Sequence, residues 1–301
     1  MNTTIHKANT VDFEKFEYGD PTVNKYGGKS CRIKYDGADF YLQLPRMRLP
    51  YGMSVYEVKD PDGRVVNSKY SLDFSLGGYE KNDKGVPHNQ RIYDFFNFLE
   101  KAQTKLHEQA SKNSSEWLGI DDATIEVARA LCREEIRYSK DKVTKKPTNK
   151  YPPTFKAKVT QWEGRFLCNA FDENKEPITD LLENCPGGTE AVAIVKLQQV
   201  TFAGGKCGYN WLVHQIKLFP PTRMPSYAFM EDDEDNAPVR EPVVEDENGS
   251  NNVTEPVVTQ LDDSDDDSDD DDELDHDDEE EEEVAPPPKK KVVKRKTKTH
   301  K

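Results

Sequence analysis

The sequence predicts an α+β chain that is mainly β, with two inserted helices and a disordered C-terminal tail. Three observations predict it. Short alternating apolar segments occupy residues 30–76, apolar residues recur at three- and four-residue steps after Pro87, and alternating segments resume at Thr154. Strands, helices and then strands again favour a barrel or sheet with a helical insertion over an alternating βαβ fold.

The segments before Pro87 predict a meander of antiparallel strands. Residues 31–35 and 39–44 flank an Asp-Gly pair, which is typical of a hairpin turn, and strands at 53–58 and 69–76 follow. Residues 1–29 are polar and rich in Gly and Asn, and they predict a flexible N-terminal arm.

The helical insertion is expected over residues 88–139. A first helix running to about residue 110 would present its apolar residues on one face, and a second would run from Asp121, as its cap, to about Tyr138. The apolar residues of the first helix are Ile92, Phe95, Phe96, Leu99 and Leu106. Residues 140–153 predict a mobile basic linker.

Four further strands are expected after the linker. They lie at 154–162, 165–171, 191–202 and 208–219, with a helical turn at 178–184 and a Gly-Gly turn before the last strand. The predicted domain therefore spans residues 30–225, and residues 226–301 form a disordered acidic tail that ends in a basic segment.

Charge is strongly segregated along the chain. Residues 231–301 hold 28 Asp and Glu against 9 Lys and Arg, whereas residues 1–230 hold 29 against 33, so a net charge of −15 combines a basic body with a polyanionic tail. The run 262–283 is almost entirely carboxylate. Such a pattern indicates a protein that handles another polyanion, or a tail that only confers solubility.

Metal, catalytic and membrane-spanning signatures are missing from the sequence. The five cysteines are scattered and predict reduced thiols, mostly in the core, with no metal site and no cofactor. No phosphate-binding loop, nucleophile elbow or dinucleotide fingerprint occurs, so we expect a protein that is not an enzyme. Residues 1–13 lack a signal-peptide core, and no segment suits a membrane span, which predicts a soluble intracellular protein.

Two strands predict a binding face for single-stranded nucleic acid. Alternation places lysines and aromatic residues together on the side away from the core, and this combination suits phosphate contacts and base stacking. The residues are Lys156, Lys158 and Trp162 in one strand and Tyr209, Trp211 and Lys217 in the other. The alternative is that Trp162, Tyr209 and Trp211 pack under the helical insertion. Arg46 and Arg48 could contact phosphates or pair with carboxylates.

The tail carries two further candidate features. Ser264 and Ser268 are flanked by acidic residues and resemble acidophilic phosphorylation sites. The final PPPKKKVVKRK resembles a nuclear import signal, although a nonspecific nucleic-acid patch has the same composition.

Three stretches carry a resemblance to a known family. They are LPRMRLPYGMSVYE, KYSLDFSLGGYE and TEAVAIVKLQQVTFAGGKCGYNWLVHQIKLFPP. Together they resemble a family of nucleocytoplasmic large DNA viruses (iridoviruses, marseilleviruses and phycodnaviruses) that is linked to OB-fold single-stranded DNA-binding proteins and often called uncharacterised or virion-associated. The resemblance implies an OB-like antiparallel β-barrel. It places Lys206, Tyr209, Trp211 and Lys217 in the closing hairpin.

These features predict a sequence-nonspecific single-stranded DNA-binding protein that supports viral DNA replication, recombination or repair. Its acidic tail would serve autoinhibition and recruitment of replication proteins, and self-association is a further option. The alternative is a virion-internal structural or interaction protein, such as an acidic chaperone of basic proteins. The expected location is the host nucleus or a cytoplasmic viral factory, with packaging in the virion as an option.

Overall fold

A computed structural model describes residues 3–25, 27–141 and 143–221. The predictions for the acidic tail, the basic end, Ser264 and Ser268 lie outside these residues. The strands are Ile5–Lys7 (β1), Phe16–Val23 (β2), Lys29–Tyr35 (β3), Phe40–Gln43 (β4), Met47–Arg48 (β5), Met53–Lys59 (β6), Val65–Ser75 (β7), Thr154–Val159 (β8), Gln161–Trp162 (β9), Arg165–Phe166 (β10), Asn169–Phe171 (β11), Pro177–Ile178 (β12), Glu190–Ala203 (β13) and Lys206–Phe219 (β14). The α-helices are Gln90–Lys112 (α1), Ser114–Leu118 (α2), Ile125–Leu131 (α3) and Leu181–Asn184 (α4).

The long strand β13 organises the sheet. It pairs along its whole length with β14 on one side, and β3, β4 and β5 share its other side in succession. The predicted hairpin between β3 and β4 is therefore wrong, because both strands hydrogen-bond to β13. Only a single bridge, between Tyr35 and Ala38, spans the Asp-Gly turn.

The sheet is open and mixed, and the expected closed antiparallel OB-like barrel is not seen. Its strand order is β1-β4-β13-β14-β8-β7-β6, with β1 parallel to β4 and both β8 and β11 parallel to β14. Within the described residues the end strands β1 and β6 do not pair with each other. The broader prediction, a mainly β chain with inserted helices, agrees with the structure.

Helix α1 covers one face of the sheet. Asn89 caps it by accepting hydrogen bonds from the amides of Arg91 and Ile92, and its predicted apolar face is buried. The Phe98 ring lies 6.3 Å from Phe40 and 6.1 Å from Trp211, between ring centres. The first predicted helix is therefore confirmed, and it fixes which side of the sheet belongs to the core.

The second predicted helix is confirmed only over Ile125–Leu131 (α3), and the short α2 ends before the predicted start at Asp121. Gly119 ends α2 with a φ of 68°, and Thr124 begins α3 by accepting a hydrogen bond from the amide of Val127. Helix α3 ends at Leu131, and the backbone of Cys132 is extended. The amide of Arg133 then donates to the carbonyl of Cys207 at 2.7 Å, and residue 137 pairs with residue 154. The segment after α3 thus runs beside the sheet.

Residues 3–25, 139–141 and 143–148 form strands, turns and hydrogen bonds that the sequence does not predict. The predicted flexible arm instead contributes β1 and β2, and Phe13 packs against Phe98 with ring centres 5.3 Å apart. The predicted mobile linker begins with a closed turn, in which Ser139 bonds to Thr148 and Asp141 accepts from the amides of residues 143 and 144. No described helix has both the length and the apolar character that crossing a membrane requires.

A buried carboxyl connects the segment after α3 to β14. The indole N–H of Trp211 donates to Glu135 Oε2 at 2.7 Å, and Glu135 is only 7% exposed. Burial raises the pKa of Glu135 to about 7, against the opposing effects of the Trp211 hydrogen bond and the nearby Arg137 charge. The group therefore changes charge near neutral pH inside the core.

Replacing Glu135 with Gln should remove a pH dependence of stability. Because the folded-state pKa of about 7 exceeds the ordinary 4.5, the unfolded chain loses the proton first. Stability should therefore fall as the pH rises through this window, by on the order of 3 kcal/mol. Glutamine stays neutral and can still accept from Trp211.

Urea unfolding of the full chain between pH 4.5 and 8 measures this effect. The free energy of unfolding should fall with pH in the wild type and in Glu134→Gln, which alters the exposed neighbour, and much less in Glu135→Gln. Equal pH dependence in all three proteins would show that the buried carboxyl does not titrate in this window.

Candidate nucleic-acid interface

One face of the sheet, opposite α1, carries a row of half-buried residues across four neighbouring strands. Lys158, Leu212, Lys196 and Tyr41 lie in direct register on β8, β14, β13 and β4. Their sequence neighbours are buried on the α1 side, as the alternation of a strand requires. We call the side that carries this row the open face.

A second row on the open face combines cations with aromatic rings. Lys217 lies in register with Phe171 on β11 and with Val192 on β13. The Lys217 ammonium is 5.3 Å from the ring centre of Phe219, and the Arg46 guanidinium carbon is 3.9 Å from the same ring. Arg46 and Lys217, distant in sequence, therefore meet at one aromatic side chain.

Carboxylates hold some of these cations in place. Lys196 Nζ lies 2.9 Å from Asp39, and Arg46 Nε lies 2.6 Å from Glu190. Arg48 lies in register with Glu190, and Lys156 lies in register with Asp73 on β7. The Arg46–Glu190 pair is exposed, and such pairs contribute only about 0–1 kcal/mol, so an incoming phosphate can replace this carboxylate at little cost.

Trp162 extends the open face at the short β9–β10 hairpin. Its side chain is 43% exposed and lies in register with Arg165. The adjacent Phe166 packs against Tyr70, which lies in register with the buried Val159. Trp162 and Arg165 therefore point to the opposite side, the side of Lys158.

Trp211 is not available for base stacking, which corrects the prediction made for it. It is 2% exposed and lies among Phe40, Phe98 and Phe155. The error arises from a β-bulge, since β13 residues 194 and 195 lie opposite β14 residues 215 and 213 and leave His214 unmatched. The extra residue reverses the alternation of β14, so Trp211 shares the core side with Ile216.

Tyr209 and Lys206 also lie apart from the open face. The Tyr209 hydroxyl is 2.6 Å from the Tyr18 hydroxyl, and burial raises the pKa of Tyr209 well above its ordinary value. Lys206 is exposed at the start of β14, roughly 36 Å along the strand from Lys217. The structure therefore groups Arg46, Arg48, Lys156, Lys158, Trp162 and Lys217 and separates Lys206, Tyr209 and Trp211 from them.

Among the residues of the open face that sequence reasoning missed are Tyr41, Phe171, Lys196 and Phe219. Lys196 could have been found from the sequence, because it is the one cation in the largely apolar first half of β13. Strand alternation places it on the same side as residues 192 and 194. Tyr41 and Phe171 join the face by pairing with the distant strands β13 and β14. Phe219 joins it through its contacts with Arg46 and Lys217. Within the described residues no group of three or more His, Cys, Asp or Glu is placed to hold a metal ion.

Comparisons with known proteins give structural similarities only. No protein-family model matches the sequence, and no curated protein does. The single-stranded DNA-binding protein of bacteriophage Enc34, in complex with ssDNA, is 12% identical with a TM-score of 0.34, over 68% of this chain and 96% of that one. The protein gp2.5 of bacteriophage T7, which also binds single-stranded DNA, is 12% identical with a TM-score of 0.29, over 64% and 98%. At these low scores neither similarity assigns a function, and the resemblance to the large DNA virus family stays a prediction.

Proposed function

We propose that this protein binds single-stranded DNA on the open face, without sequence preference. The observation that carries the proposal is the juxtaposition of cations and aromatic rings across successive strands, on the side of the sheet opposite α1. Residues from β4, β8, β11, β13 and β14 contribute to it. Such a surface is long enough to follow several nucleotides of one strand.

The chemistry of the open face favours single strands over duplexes. Lysine ammonium groups contact phosphates irrespective of sequence, which gives binding that weakens steeply with salt. Rings such as the exposed Trp162 and the half-buried Phe219 gain about 1–3 kcal/mol per stacked base, and bases are accessible in this way only when they are unpaired. Half-buried Leu212 adds apolar surface between the lysines.

We further propose a role in viral DNA replication, recombination or repair, with the acidic run 262–283 as a regulator. A polyanionic segment competes with DNA for the same cations when DNA is absent. When DNA displaces it, the run becomes free to recruit replication proteins. A virion-internal interaction protein remains the competing function, and it requires that the chain bind no single-stranded DNA.

Removing two lysines of the open face should weaken binding to oligo-dT. In a Lys196→Ala, Lys217→Ala double variant, each lost phosphate contact should lower the slope of log affinity against log salt by about 0.7. Fluorescence anisotropy at several salt concentrations measures both the affinity and the slope. A matching duplex should bind more weakly than oligo-dT to the wild type.

The matched control changes two exposed lysines of α1, which packs on the other side of the sheet. A Lys101→Ala, Lys112→Ala variant carries the same net charge as the test variant. It should keep nearly the full affinity and salt slope. Equal losses in the two variants would refute the open face as the binding site, and an absence of oligo-dT binding by the wild type would favour the interaction protein.

Neutralising the acidic run should tighten binding to oligo-dT. Replacing Asp262–Glu283 with Asn and Gln at each acidic position removes the competing charge and keeps the length of the tail. Because salt also screens the tail, the gain should be largest at low salt and shrink as salt increases. Unchanged or weaker binding at low salt would contradict the autoinhibitory role, without bearing on the open face itself.

A further inference from the structure

Two thiols from distant parts of the chain meet in the core. Cys132 follows the last residue of α3, and Cys207 is the second residue of β14. Their Sγ atoms are 3.0 Å apart, and the two residues are 6% and 0% exposed. The pair lies on the α1 side of the sheet and takes no part in the open face.

The backbone around the pair already has the geometry that a disulfide needs. Residues 132 and 207 form a parallel β-bridge, and the amide of Arg133 donates to the carbonyl of Cys207 at 2.7 Å. Bridged strands lie about 4.8 Å apart, within the range of about 4.4–6.8 Å between the Cα atoms of disulfides. Closing the bond therefore needs little movement of the main chain.

We propose that Cys132 and Cys207 form a dithiol modification site that is oxidised to an intramolecular disulfide by a low-molecular-weight disulfide. The site is independent of DNA binding. The described cysteines also include Cys31, whose thiol donates to the carbonyl of Gly19 at 2.9 Å, and the buried Cys168 and Cys185. Of these five cysteines, we choose Cys132 and Cys207 because their thiol groups are in contact.

The reaction balances as a two-electron thiol–disulfide exchange. One protein thiolate attacks the external disulfide, forms a mixed disulfide and releases one small thiolate. The second protein thiol then attacks the protein sulfur of the mixed disulfide and releases the second small thiol, and the two protons pass to the released thiolates. The protein pair is oxidised and the external disulfide is reduced to two thiols.

The electrostatics of the pair favour one thiolate. The pKa of Cys207 is lowered, chiefly by the hydrogen bond from Cys132 and further by the charge of Arg133, while burial opposes this. The pKa of Cys132 is raised, because its proton is held in the bond to Cys207. One member of the pair can therefore ionise while the other keeps its proton.

Access to the pair runs through α3. This helix has seven residues, of which only Ala128 is buried, and Ile125 and Val127 are 45% and 39% exposed. Elements with few buried contacts open locally at low cost. Opening of α3 exposes Cys132, and the disulfide that forms would join the helical insertion to the start of β14.

To test this, the native full-length protein is treated with oxidised glutathione. It is then denatured, its free thiols are alkylated, and its peptides are mapped by mass spectrometry. We expect one cross-linked peptide that joins Cys132 to Cys207, a loss of two hydrogens, and three alkylated cysteines of the original five. The melting temperature should rise by about 5 °C or more and return on reduction with dithiothreitol.

A matched pair of variants separates this site from general thiol oxidation. Cys132→Ala should lose the cross-link and the thermal shift, whereas Cys168→Ala, at a comparably buried cysteine, should keep both. Five alkylated cysteines, or glutathione adducts without the cross-link, would overturn the proposal. If Cys132→Ala does not fold, the peptide map of the wild type decides alone.

Discussion

Packing of α1 against the aromatic core side of the sheet is the interaction on which the rest of the structure depends. Phe98 and Phe95 of α1 meet Phe40, Phe155 and Trp211 from three different strands. Buried aromatic side chains each remove a large apolar area from water. Because α1 covers this side of the sheet, the lysines and half-buried rings lie on the other side. The packing of α1 therefore determines which side of the sheet becomes the open face.

The two sides of β14 show how closely function and packing are connected. On the core side, Trp211 donates to the buried carboxyl of Glu135. On the open face, Leu212 and Lys217 join residues from neighbouring strands. The bulge at His214 shifts the alternation of β14, so that odd-numbered residues before it and even-numbered residues after it face the core. Simple alternation along the whole strand therefore assigns Trp211 to the wrong side.

Local patterns predicted the elements better than their partners. The three- and four-residue spacing of α1 and the alternation of β8 involve neighbours in the chain, and both predictions agree with the structure. Within the predicted meander, the strands at 53–58 and 69–76 do pair antiparallel as β6 and β7. The predicted pairing of β3 with β4 was wrong, because β13, about 150 residues later, pairs with both of them. At the candidate site, Lys158 and Lys217 could be found from local pattern, whereas Tyr41 and Phe171 depend on distant pairing. Trp211 was misplaced because a bulge leaves no clear mark in the sequence.

Chemical footprinting of lysines, with and without oligo-dT, tests the central claim most directly. Lysine acetylation is read by mass spectrometry at every site in one experiment, and it needs no substitution. The account predicts that oligo-dT protects Lys158, Lys196 and Lys217 while Lys101 and Lys112 of α1 react unchanged. Protection of the α1 lysines would contradict it. So would a result in which saturating oligo-dT changes the reactivity of none of the five lysines.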